Sequence, residues 1–172
     1  MPGNTVYISI GSNIHPERFV PKAIELLKNN PHLDAFQVSS FYKSKALERP
    51  DQTPYSNGVA RFQTTLDPLT LKTEVLRKIE YQCGRVREED RFAPRTIDLD
   101  IILFGDLQID DETMTIPDPA IWEHAFVTIP LLQLEPSPII PERCAPIPCI
   151  EPDLLPEDTT LNDILREGKA HG

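Results

Sequence analysis

The run Ile97-Asp98-Leu99-Asp100-Ile101-Ile102-Leu103-Phe104 constrains the fold more than any other stretch of the chain. It is too apolar and β-branched to lie on a surface, yet it carries two carboxylates two residues apart. An extended strand reconciles the two demands, because side chains alternate between its faces. Ile97, Leu99 and Ile101 then turn into a core, while Asp98 and Asp100 turn together to the other side. At about 3.3 Å of rise per residue their Cα atoms sit roughly 6.5 Å apart, a spacing at which both carboxylates can serve a metal pair about 3.5–4 Å across. Asp-x-Asp alone also recurs on solvated loops, so its neighbours carry the argument.

Immediately upstream, Arg85, Arg87, Arg91 and Arg95 fall within eleven residues, in a chain whose formal net charge is −10. An acidic surface argues against nucleic acid or an anionic membrane as partner, since both are bound mainly through basic surface. The arginines therefore point to a local anion site; a salt-bridged, solvated loop is the alternative. Cys83, Cys144 and Cys149 have no short paired spacing and no histidines nearby, which argues against a zinc site or a disulfide framework and makes the cytoplasm the expected compartment. The apolar run at residues 6–10 is interrupted by Ser9 and lacks a basic flank, so it reads as a buried strand and not as a signal peptide or membrane span.

Periodicity orders the remaining elements. After the strand at 6–10 and the turn Gly11-Ser12-Asn13, the pattern Phe19, Ala23, Ile24, Leu27 predicts an amphipathic helix ending near Asn29-Asn30, with Pro16 and Pro21 limiting how early it begins. A second strand is expected over 33–42, a loop over 43–54, and a third strand over 57–64. Asp67 suits an N-cap and Pro68 the first helical position of a second helix, with Leu71, Val75, Leu76 and Ile79 buried up to Gly84. Residues 85–97 form a polar loop before the strand at 98–104. This β-α-β-β-α-β order predicts an α+β, ferredoxin-like plan: an antiparallel sheet with helices on one face. C-terminal additions follow, namely a small hairpin from 107–109 and 114–116, short helices within 120–135 broken at Pro130, and a proline-rich surface segment over 136–156. A short helix is expected at 161–166. All 172 residues fit one domain, with a core over about 5–135 and a proline-rich extension over about 136–172.

The segment Arg95-Thr96-Ile97-Asp98-Leu99-Asp100-Ile101-Ile102-Leu103-Phe104-Gly105, preceded by Gly84-Arg85-Val86-Arg87 and Arg91-Phe92-Ala93-Pro94, resembles the signature of the 6-hydroxymethyl-7,8-dihydropterin pyrophosphokinase family of the folate pathway. Tyr7-Ile8-Ser9-Ile10-Gly11-Ser12-Asn13, Val38-Ser39-Ser40-Phe41-Tyr42 and Tyr55-Ser56-Asn57-Gly58 are similar to that family's first three strands, in order and spacing. The resemblance implies Mg²⁺-dependent transfer of an intact diphosphate from ATP to the hydroxymethyl oxygen of the reduced pterin, with release of AMP. It implies two Mg²⁺ on Asp98 and Asp100, and a catalytic set of these two with Arg85 and Arg95. Arg85, Arg87, Arg91, Arg95 and His124 would bind ATP. Tyr55 and Phe126 would flank the pterin ring, Asn57 would bond its edge, main-chain groups around Ser44 to Leu47 would complete the contacts, and Phe92 would supply an aromatic cover. Small-molecule substrates alone, a monomer, and loops that close over them are further implications. By residue type alone, Phe126 reads as core packing and Asn57 as a turn residue.

The chain departs from the family pattern at three of these positions. Phe92 stands where many relatives carry tryptophan. Asp118 and His124 stand where the common pattern has histidine and arginine. An ionised aspartate cannot donate to phosphate, and a histidine donates from both ring nitrogens only when protonated, below about pH 6.5 for the free side chain. Weaker ATP binding than in typical relatives is expected, improving as the pH falls toward about 6. Two other readings stay open: another two-metal nucleotidyl or phosphoryl transferase on such a sheet, and a pterin-binding module that lost catalysis through Asp118 and His124.

Overall fold

A computed structural model describes residues 2–141, 144–148, 150 and 155–170. Strand β1 (Asn4–Ser12) is central and buried on both sides: Val6, Ile8 and Ile10 face one core cluster and Tyr7 faces another. It pairs antiparallel with β4 (Tyr55–Thr64) on one edge and β5 (Asp98–Phe104) on the other. The outer edge of β4 takes both β2 (Asp34–Val38) and β3 (Tyr42–Ser44), so the order is β2-β4-β1-β5 with β3 beside β4. The single strand expected over 33–42 is thus two. Ser39 makes the break: its N–H donates to the Val59 carbonyl at 2.9 Å, but its side-chain Oγ, not its carbonyl, accepts from Val59 N–H at 2.9 Å, so the ladder is kept while the chain bends.

Helix α1 (Pro16–Lys28) and a second helix, made of α2 (Pro68–Thr70), a π-helical turn (Leu71–Leu76) and α3 (Arg77–Gln82), lie on the Val6–Ile8–Ile10 side. Pro16 opens α1, where a missing N–H costs nothing, and the helix continues through Pro21 because Val20, Ala23 and Leu27 gain more from burial than the lost bond. Asp67 caps α2, accepting from Thr70 N–H at 3.0 Å. The wider π turn lets adjacent residues Val75 and Leu76 both face the core.

The opposite face of the sheet is covered too. Helices α4 (Ala120–Glu123) and α5 (Ala125–Leu134) bring Ile121, Val127 and Leu131 against Tyr7, Val59 and Leu103. The expectation of helices on one face therefore holds for α1 to α3 but not for the molecule as a whole, since α4 and α5 supply a second layer. In β5, strict alternation runs from Asp98 to Ile101 and is then interrupted, since Tyr7 pairs with Leu103 and Ile8 with Ile101, leaving Ile102 as an extra residue. The bulge turns Ile102 and Leu103 both toward α5. The break between α4 and α5 falls at His124, with φ −129° and ψ 115°, and not at Pro130, which sits buried inside α5. A hairpin of β6 (Ile109–Asp110) and β7 (Thr115–Ile116) follows β5. Helix α6 (Thr159–Ala170), longer than expected, returns Leu161 to the core beside α1. Cys83 and Cys144 are free thiols; Cys149 and parts of the proline-rich segment lie outside the described residues. Among the described residues no helix is long and apolar enough to cross a membrane.

Candidate active site

A cleft of about 360 Å³ opens between the α4–α5 layer and the sheet. Ser9 to Gly11 of β1 and Asp98 and Asp100 of β5 form its floor; Ser44 to Leu47, Tyr55 and Asn57 form one wall; Asp118, Ala120, Phe126 and Val127 form the other; Gln52, Arg91, Phe92 and Arg95 reach in from two loops. The period of two in β4 and β5 puts Tyr55, Asn57, Asp98 and Asp100 on the same side of the sheet.

Both oxygens of Asp98 are taken by arginines: Oδ1 accepts from Arg85 Nη1 at 2.6 Å, and Oδ2 accepts from Arg95 Nη1. Arg85 arrives there because α3 ends in a Schellman turn. Gly84 adopts φ 76°, its N–H donates to Tyr81 O at 2.9 Å, and Arg85 N–H donates to Glu80 O at 3.0 Å. The turn folds the arginine back over the helix end, where its guanidinium also meets Glu80 Oε1 at 2.5 Å.

Glu80 is 3 % exposed and holds three elements together. Besides Arg85, it accepts from Arg87 at 3.0 Å and from the backbone N–H of Leu99, between the two acids, at 2.9 Å. Burial raises its pKa, against the lowering effect of the Leu99 N–H and Arg85. Burial alone would lower Arg85, but Asp98 and Glu80 more than offset it and keep it cationic. Asp100 has no such partner. Water reaches it through the cleft, yet protein surrounds it on most sides; this desolvation, then the charges of Asp98, Glu80 and Asp118, push its pKa up to about 7. Burial likewise raises Asp118, whose Oδ1 accepts from Ala120 N–H at 2.8 Å.

Asn13, just past the end of β1, ties the two loops to this floor, while Gly11 and Ser12, expected in a turn, continue the strand by pairing with Asn57 and Ser56. The buried Asn13 amide accepts from Arg95 N–H at 2.8 Å and donates to Gln52 Oε1 and Thr53 O, each at 3.3 Å. Gln52 in turn donates to Phe92 O at 3.0 Å, and the Arg91 guanidinium lies 4.8 Å from the centre of the Phe92 ring. Asn57 is held edge-on by Ser44, its Nδ2 donating to Ser44 Oγ at 2.8 Å.

Ser44, Leu47, Tyr55, Asn57, Arg91, Phe92, Arg95, Asp98, Asp100 and Phe126, all singled out in the sequence, line one cleft. Three others do not. Arg85 stands behind Asp98, Arg87 extends outward from Glu80, and the His124 ring stacks on Phe126, with centroids 4.9 Å apart and planes 8° from parallel. Glu80, Asn13 and Gln52 escaped the sequence reading. Asn13 stood in the Gly11-Ser12-Asn13 motif without a role of its own, and Glu80 left a trace as a carboxylate four residues beyond Leu76 on the buried stripe of its helix.

Two acids on one strand, the first held by two arginines and both beside an aromatic slot, suit a phosphate-group transferase, and comparison with known proteins narrows the class: the chain is a pyrophosphokinase. It belongs to the 7,8-dihydro-6-hydroxymethylpterin-pyrophosphokinase family, whose model matches residues 7–136. It is 39 % identical over 138 residues to the 2-amino-4-hydroxy-6-hydroxymethyldihydropteridine pyrophosphokinase of Haemophilus influenzae, covering 80 % of this chain and 85 % of that one. The enzyme of the same name from Bacillus subtilis is 36 % identical over 132 residues, covering 76 % and 78 %. In fold it is similar to the crystal structure of a Plasmodium falciparum HPPK-DHPS triple mutant, with a TM-score of 0.56 at 11 % identity; the match takes in 99 % of this chain and 44 % of that one.

Proposed function

We propose that the protein transfers diphosphate from ATP to the hydroxymethyl oxygen of 6-hydroxymethyl-7,8-dihydropterin, giving AMP and the pterin diphosphate for folate synthesis. One observation carries this reading: the Asp98–Asp100 pair opens into the same cleft as Tyr55, Asn57 and Phe126. A triphosphate at the acids and a flat heteroaromatic ring against the aromatics would share one chamber, and such chemistry asks for positioning and charge neutralisation more than for a protein nucleophile.

The donor set fits Mg²⁺. The acids are hard oxygen ligands that lie side by side at the floor of the cleft, and a bound cation would favour the ionised form of Asp100 against the desolvation that now disfavours it. Mg²⁺ characteristically takes one or two carboxylates and completes its shell with water and substrate phosphate. Asp98 and Asp100 would hold two such ions, which when bound neutralise phosphate oxygens and lower the pKa of the attacking hydroxyl. Arg85 and Arg95 would exchange part of their hold on Asp98 for phosphate oxygens, to which guanidinium presents two parallel donors. Arg91 and Arg87 would follow as their loop closes, and Phe92 would cover the ring. Asn57 would bond the pterin edge between Tyr55 and Phe126, with Ser44 and Leu47 at its rim. His124, stacked behind Phe126, is the remaining candidate for triphosphate.

The ferredoxin-like description belongs to the same reading and is supported by the strand order and by α1 to α3 sharing a face. So does a cytoplasmic monomer, which sedimentation checks. Asp98→Ala and Asp100→Ala are each expected to abolish turnover while leaving the fold intact by circular dichroism. Appreciable Mg²⁺-dependent activity in both variants would sink the assignment.

A further inference from the structure

We infer that residues 156–162, beyond the end of the family match, form a positioning clasp for the strands that present Ser44, Tyr55 and Asn57 to the pterin; this rests on the pterin reading of the cleft. Strand β3 is three residues long and pairs with β4 along one edge. So short an edge strand holds its place weakly by itself. Its other edge is occupied from the C-terminal side. Lys43 N–H donates to Pro156 O at 2.8 Å, and Tyr42 bridges Glu157 in antiparallel sense. Phe41 O accepts from Asp158 N–H at 2.9 Å and from Asn162 Nδ2 at 3.1 Å, while Phe41 N–H donates to Asn162 Oδ1 at 2.7 Å. The Asp158 carboxylate crosses to β4, where Oδ2 accepts from Ser56 Oγ at 2.5 Å, and Oδ1 accepts from Leu161 N–H at 3.1 Å at the start of α6. Asp158, Asn162 and Ser56 are all buried.

Alternation decides what this does. Tyr42, Ser44, Tyr55 and Asn57 share the cleft face, in the register Tyr42–Asn57 and Ser44–Tyr55, so Phe41, Ser56 and Gly58 face the rear. The clasp grips the rear side chains and the main chain, one residue from each pterin-facing group. Phe41 passes the constraint on, because its ring fills the space under Gly58, where an added Cβ would lie 2.7 Å from Phe41 Cζ. The clasp touches neither the acid pair nor its arginines. Its loss should therefore loosen pterin and spare ATP.

The test is steady-state kinetics on the full chain, varying pterin and ATP separately. Asn162→Ala is expected to raise the pterin KM about tenfold, the scale of one or two buried hydrogen bonds, and to leave the ATP KM within about twofold. Arg166→Ala, exposed on the same helix, should change neither KM. A fall in melting temperature and kcat with both KM values unchanged would mean a merely structural role and overturn the inference, as would an equal rise in both. Should Asn162→Ala not fold, Ser56→Ala removes a single oxygen and reads the same split. Asn57→Ala separates the two failures. If it leaves the pterin KM unchanged, the pterin reading falls and the clasp with it; if it raises that KM while Asn162→Ala and Ser56→Ala do not, only the clasp is wrong.

Discussion

Asp100 holds a proton more tightly in the folded cleft than in the unfolded chain, since desolvation, Asp98, Glu80 and Asp118 all disfavour its anion. Its folded pKa of about 7 lies above an unfolded value of about 3.9, so the folded state binds more protons between those limits. This group's contribution is neutral below about pH 4 and increasingly destabilising as the pH rises toward about 7. Because water reaches the carboxylate, screening holds this effect to about 1–2 kcal/mol. Asp100→Asn is thus expected to stabilise the metal-free protein by that amount at pH 8 and by little below pH 4, read from urea unfolding. Equal stabilisation at both pH values would contradict the charge argument. Asp118 adds a third carboxylate to the cleft where the family pattern has a donor. Asp118→Asn keeps the 2.8 Å bond from Ala120 N–H and removes the charge. The ATP KM should fall about fivefold, the equivalent of about 1 kcal/mol; an unchanged or higher KM would show that Asp118 does not oppose the triphosphate.

At the scale of elements, the loops over 45–54 and 86–97 are tied across the cleft mouth by Arg49–Asp90 at 2.6 Å and by Gln52 on Phe92 O. Both members of the ion pair are exposed, so the pair is worth under about 1 kcal/mol. Arg49→Ala, which removes the pair and spares the bond from Phe92 N–H to Asp90 Oδ1, should leave the melting temperature within about 3 °C while amide exchange in residues 88–94 speeds up; unchanged exchange would mean that Asn13 and Gln52 alone set the loop. The same elements show what a sequence can express. Asp98 and Asp100 were legible because a strand's period is local, and so was the cap at Asp67, whose partner is Thr70. Glu80 and Asn13 were not, because what makes them matter, Leu99 N–H for one and Arg95 and Thr53 for the other, is brought near only by the fold. The bend at Ser39, the π turn and the passage of α1 and α5 through Pro21 and Pro130 depend on tertiary burial overriding local preference.

Over the whole molecule, the second helical layer turns a sheet into an enzyme. Strand alternation alone would leave Tyr55, Asn57, Asp98 and Asp100 on an open face; α4 and α5, seated on Tyr7, Val59 and Leu103, wall that face with Phe126 and make it a chamber. The sequence announced the helices of 120–135 without saying which face they cover, because α5 is apolar nearly all round. What distinguishes this chemistry is that diphosphate, and not a single phosphoryl or nucleotidyl group, is moved. Incubation of the protein with ATP, Mg²⁺ and 6-hydroxymethyl-7,8-dihydropterin, with AMP resolved from ADP and pyrophosphate, tests it most directly. AMP is expected in step with pterin diphosphate; ADP, free pyrophosphate, or no pterin-dependent AMP from the folded protein would rule out diphosphate transfer.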